Sequence, residues 1–107
     1  MGGTAGRAGQ FRSPIGNVTV SSTAIKLLDA NPAREKLIVQ EVGGTNAFHW
    51  GDQNDISSSR GAFCGGGETI VLEGPYCPTQ AIYAIAASGD ATGLASEVIP
   101  SSGVGER

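Results

Sequence analysis

Short runs of alternating apolar and polar residues, closed by glycine, proline, asparagine or aspartate, recur through residues 18–97. This rhythm constrains the fold more than any other feature. Successive side chains of a strand point to opposite faces, so a period of two marks a strand, whereas an amphipathic helix repeats at i, i+3, i+4 and i+7. Val18-Thr19-Val20 alternates. Ala24-Ile25-Lys26-Leu27-Leu28 resumes after Ser21-Ser22, with Ile25 and Leu27 on one face and Lys26 on the other. Leu37-Ile38-Val39-Gln40-Glu41-Val42 is rich in branched side chains and predicts a central strand buried on both faces. Phe48 and Trp50 share a face opposite His49, and Ala62-Phe63-Cys64 is a further short strand. Thr69-Ile70-Val71-Leu72-Glu73 alternates with Ile70 and Leu72 inward. Residues 81–87 form a second central strand, and residues 94–99 the last.

The breaks between these runs have identifiable chemistry. Asp29-Ala30-Asn31-Pro32 is a strong stop, because Asp and Asn bond their own backbone and proline removes a donor. A single helical turn can follow at Ala33-Arg34-Glu35. Gly43-Gly44-Thr45-Asn46 reads as a hairpin connection, supplying positive φ. Gly65-Gly66-Gly67 is a flexible turn, and Gly74-Pro75-Tyr76-Cys77-Pro78 a rigid loop. The pattern predicts an all-β fold: a small antiparallel β-sandwich or jelly-roll-like shell of about eight short strands. Leu37, Val39, Ile70, Leu72, Ile82 and Ile85 are its expected core. The 17 glycines among 107 residues belong to turns and arms, since glycine weakens element interiors.

Three regions follow. Residues 1–16 hold five glycines and only Phe11 and Ile15 as large apolar side chains, which predicts a flexible glycine-rich N-terminal arm. Residues 17–99 form the β-sandwich domain, and residues 100–107 a disordered Ser/Gly tail. The arm is either plain disorder or a segment that lies on a neighbouring subunit with Phe11 as its anchor. Residues 1–7 lack the apolar run of a secretory leader, and no run is long enough to span a membrane as a helix.

The side chains that carry chemistry are sparse. Formal net charge is −3 and the seven basic residues are scattered, which argues against nucleic acid as a partner. His49 is the only histidine, and its place between Phe48 and Trp50 makes it a surface or interface side chain rather than a catalytic base. Asp52-Gln53-Asn54-Asp55 resembles half of a calcium loop, but Ser57 and Phe63 stand where glycine and glutamate are needed. Gly65-Gly66-Gly67-Glu68 ends in an acid and opens a strand, unlike a phosphate loop. Cys64 and Cys77 are either two reduced thiols or a bridge closing a loop of about a dozen residues. No catalytic residue, cofactor or metal is expected.

The segments LLDANPAREKLIVQEVG, GGGETIVLEGP and AIYAIAASGDA, spread over about Val18 to Glu97, resemble small β-sandwich virion structural proteins of tailed bacteriophages, of the capsid decoration (cement) or head–tail accessory type. The resemblance implies a non-enzymatic protein that binds and stabilises the lattice of the major capsid protein. It also implies a location on the capsid surface after synthesis in the host cytoplasm, and a homo-oligomer on the particle. The partner is then the major capsid protein or another virion protein, with no nucleic acid and no membrane. A head fibre, head–tail accessory or tail structural protein is the alternative. A carbohydrate-binding β-sandwich module, stacking sugars on Trp50 and Tyr76, is a further one. Trp, Tyr and Arg dominate binding hot spots, so Trp50 and Tyr76 are expected interface residues, together with Phe11 and Ile15 as anchors of the arm.

Overall fold

The computed structural model describes residues 9–100. They form a β-sandwich of two antiparallel sheets. The strands are β1 (Gly9–Arg12), β2 (Val18–Val20), β3 (Ile25–Leu28), β4 (Lys36–Glu41), β5 (Phe48–Gly51), β6 (Ala62–Cys64), β7 (Thr69–Glu73), β8 (Ile82–Ile85) and β9 (Ala91–Pro100). A 3₁₀ turn, Gly74–Tyr76, follows β7. One sheet has the order β1-β9-β4-β7, with β2 also paired to β9; the other has the order β3-β8-β5-β6.

Most connections cross from one sheet to the other. Gly43-Gly44-Thr45-Asn46 is therefore not a hairpin, because β4 and β5 lie in different sheets. The within-sheet hairpin is β5–β6, closed by residues 52–61. Apolar residues facing inward from both sheets make the core, led by Phe48, Leu27, Leu28, Leu37, Ile82 and Val39. The sheets come close at Gly93, where a Cβ would sit 3.1 Å from both Leu27 Cδ2 and Val20 Cγ2. A glycine inside the long strand β9, near its start, is thereby explained.

Several expectations are corrected. The free arm expected over residues 1–16 does not extend through residues 9–12: Gly9, Gln10, Phe11 and Arg12 pair with Pro100, Ile99, Val98 and Glu97. The long strand β9 offers an edge that this segment completes. The rest of the arm, residues 1–8, lies outside the described residues, as do residues 101–107 of the tail; Pro100 itself ends β9. Strand β4 is buried fully on one face only, with Leu37, Val39 and Glu41 inward and Lys36, Ile38 and Gln40 partly covered. A register irregularity between Lys26 and Leu28 breaks the simple alternation of β3, so Leu27 and Leu28 are both buried and Ile25 is exposed. Ile70, Leu72 and Ile85 are half-buried rather than central. Ala33-Arg34-Glu35 makes no helical turn; Asn31 Oδ1 accepts from Ala33 N at 3.0 Å, and Asn31 O from Arg34 N at 3.1 Å.

Candidate functional site

Perturbed, buried ionic groups are where reactive sites cluster, and this protein buries Arg34, Glu41 and Glu97. Arg34 enters the interior from the loop between β3 and β4. Its Nε donates to Glu97 Oε1 at 2.8 Å. Nη1 donates to the carbonyls of Pro78 (2.7 Å) and Gln80 (3.0 Å), and Nη2 to that of Asp29 (2.6 Å). Glu97 Oε2 accepts from Asn31 Nδ2 at 3.1 Å and lies 3.4 Å from Arg12 Nε. These contacts join the β3–β4 loop, the loop before β8, β9 and β1. Every nitrogen of the guanidinium is occupied by the chain itself, which makes the cluster a brace.

Glu41 does the same with main-chain donors. Its Oε1 accepts from Gly44 N (2.6 Å) and Gly67 N (3.0 Å), and its Oε2 from Gly43 N (3.0 Å) and Thr92 N (2.9 Å). Burial opposes its ionisation, but the N–H groups of Thr92, Gly67, Gly44 and Gly43 outweigh it and hold the pKa below the usual carboxylate value. The carboxylate thus ties together the β4–β5 loop, the β6–β7 loop and the start of β9. The two glycine clusters serve this cradle. Gly44 and Gly67 have φ of +85° and +77°, and a Cβ on Gly43 would lie 2.8 Å from Glu41 Oε2.

The thiols are separate. Cys64 and Cys77 are both free. Cys64 is buried at the end of β6, and burial, with the Glu68 charge, pushes its pKa up to about 11. Burial also raises that of Cys77. Among the described residues no group of His, Cys, Asp and Glu side chains is arranged to hold a metal ion. Asp55, from the half calcium loop, is bonded instead to Arg60 at 2.6 Å.

Several large apolar side chains are exposed among the polar ones. Cross-strand partners share a face, so the register defines rows across the outer side of the five-stranded sheet. One row runs Phe11, Val98, Lys36, Glu73; the next runs Ser96, Ile38, Val71. Phe11 is 64% exposed and Val71 49%. A shallow groove of about 680 Å³, lined by Arg34, Glu35, Lys36, Glu73, Gly74 and Val98, opens at the end of these rows. On the outer side of the second sheet Phe63 packs edge-on against His49, with ring centroids 5.5 Å apart.

Of the four expected interface residues, the structure exposes three. Phe11 lies on the outer face of β1, Ile15 follows in the β1–β2 connection, and Tyr76 in the 3₁₀ turn is 80% exposed. Trp50 is corrected: only 5% of its surface is accessible, because the inner face of β5 directs its ring into the core beside Phe48. Phe11, Ile15 and Tyr76 come from different segments, and only Phe11 belongs to the rows described above. Val71, Ile38 and Val98 were missed as surface residues. The alternation of β7 placed Val71 outward, but the row appears only once β4, β7 and β9 are aligned. No family, no curated protein and no solved structure matches this chain.

Proposed function

We propose that this chain is a non-enzymatic structural protein of a phage virion, a capsid decoration (cement) subunit that binds the major capsid protein lattice. The observation that carries the proposal is the contrast between its interior and its surface. The buried ionic groups Arg34, Glu97 and Glu41 are engaged in bracing loops. The outer face of the five-stranded sheet presents Phe11, Val98, Ile38 and Val71 in adjacent rows, and Tyr76 stands out from the turn after β7. Such a body suits attachment through surfaces, with many copies each burying modest area and multivalency supplying strength. The resemblance of the strand and turn motifs over about residues 18–97 supports the same class. A head fibre, head–tail accessory or tail protein is the neighbouring alternative. The carbohydrate-binding alternative is weakened by the burial of Trp50.

The test is co-sedimentation of the full chain with capsids assembled from the major capsid protein of the same genome. Saturable binding is expected. Truncating Phe11 or Tyr76 to Ala should weaken it, and a central anchor would cost about 30-fold or more. Absence of binding to capsids, with binding to isolated tails, would move the protein to the alternative location. Binding to neither would overturn the virion assignment.

A further inference from the structure

Sheet edges are the places where a β protein meets other chains, and solitary edges carry guards: lysine, proline, a bulge, or simple shortness. Strand β3 has Lys26 and a register irregularity. Strands β2 and β6 are three residues long. Strand β1 is led by glycine and ends in the basic residue Arg12. Strand β7 differs from all of these. It runs through Thr69, Ile70, Val71, Leu72 and Glu73 in unbroken register with β4, and it has no lysine, no proline and no bulge. Among the described residues, nothing pairs with its other edge.

The main-chain directions of β7 follow from its neighbours. Glu41 N donates to Glu68 O, and Gly74 N to Glu35 O. In an antiparallel ladder both groups of a residue point to the same side and alternate along the strand. Residues 68, 70, 72 and 74 therefore bond β4, and the N–H and C=O groups of Thr69, Val71 and Glu73 point to the open edge. The end charges of the strand are already engaged, since Glu68 Oε1 accepts from Gly65 N at 2.7 Å and Glu73 lies 3.5 Å from Lys36 Nζ.

We propose that β7 pairs antiparallel with β7 of a second copy of this chain, about a two-fold axis through Val71. In that register Val71 faces Val71 of the other copy as a hydrogen-bonded pair, and Thr69 faces Glu73. The same patch meets itself, as a closed two-fold interface requires. The charges are compatible: each Glu73 stands opposite a threonine, and the two Glu73 residues lie at opposite ends of the ladder. The side chains are compatible as well. On the outer face the row Ile38–Val71 continues into its own copy, and on the inner face the half-buried Ile70 meets Leu72. Two five-stranded sheets become one continuous sheet. The association belongs to the isolated protein and does not rest on attachment to a capsid.

Sedimentation velocity on the full chain, from micromolar to near-millimolar concentration, tests this. A concentration-dependent dimer is expected. Val71→Pro removes an edge donor without removing a bond to β4, a position where proline is tolerated. Val71→Lys supplies the missing guard on an exposed side chain. Both should weaken the dimer by about tenfold or more, with circular dichroism unchanged. Val42→Lys, an exposed valine off this edge, should leave it unaltered. Val71→Cys should cross-link on mild oxidation, because hydrogen-bonded partners lie about 5.5 Å apart between Cα atoms, within disulfide reach. A chain that stays monomeric throughout, or a Val71→Lys variant that dimerises as tightly as the parent, would overturn the proposal.

Discussion

Arg34 and Glu97 form an ion pair, Nε to Oε1 at 2.8 Å, with both side chains almost wholly removed from water. They are far apart in sequence, and the pair joins a connecting loop to the strand β9 that runs through the centre of the larger sheet. Removing one partner of a buried pair leaves the other charged and uncompensated. Arg34→Met should therefore cost about 3–5 kcal/mol, read from the shift of the urea midpoint. The double variant Arg34→Met/Glu97→Leu should regain only part of this loss. The carbonyls of Asp29, Pro78 and Gln80 lose their guanidinium donor in both variants. Full recovery in the double variant would show that the charge pair, not the carbonyl contacts, carries the brace.

Glu41 makes stability depend on pH in a stated direction. Its carboxyl pKa is held below the ordinary 4.5 in the folded protein. The unfolded chain thus takes up its proton first as pH falls. The contribution of the carboxylate is complete above about pH 4.5 and is lost as pH drops through the folded value. Glu41→Gln replaces an acceptor with an amide that must turn donors toward part of the cradle. It should cost about 1–3 kcal/mol at neutral pH. Urea midpoints measured down to about pH 3 should show the gap between parent and variant narrowing. A gap of constant size would mean that Glu41 does not titrate in this window.

The two leucines that face each other across β4 and β7 differ in burial. Leu37 is fully enclosed, whereas Leu72 is half-buried near the open edge. Leu37→Ala should cost about 2–5 kcal/mol, the range for a large-to-small change in a core. Leu72→Ala should cost less, since part of its side chain is already in water. Equal losses in a denaturant titration at low protein concentration would place Leu72 in the core after all.

The thiols should react in sequence with an aromatic disulfide reagent near pH 8. Cys77 is half-buried, and burial raises its pKa. Cys64 is enclosed, with its pKa pushed up to about 11 by burial and by the Glu68 charge. Thiolate is the reacting species, so Cys77 should titrate first and Cys64 only as the chain opens. Simultaneous reaction of both in the native protein would contradict the burial of Cys64.

The local sequence carried the strand content, the two-sheet class and much of the core, because a period of two and the chemistry of Gly, Pro and Asn act over a few residues. Val18-Thr19-Val20, Phe48 with Trp50, and Thr69 to Glu73 all fall on strands as their alternation predicts. What local patterning leaves open is partnership. Gly43-Gly44 looks like a hairpin turn because the same positive φ serves a turn and a carboxylate cradle; only the approach of Gly67 and Thr92 from distant segments identifies the cradle. Trp50 resembles a surface anchor until the packing of the two sheets places the inner face of β5, with Phe48 and Trp50, in the core. Gly9–Arg12 lacks the apolar content of a core strand, and becomes a strand because β9 extends far enough to offer it an edge. Arg34 stands just after the Asn31-Pro32 stop, with no local sign of burial, yet it is buried because Glu97 and three carbonyls converge on it. In each case the deciding contact lies between residues distant along the chain, where hydrogen bonding and packing in three dimensions outweigh local propensity.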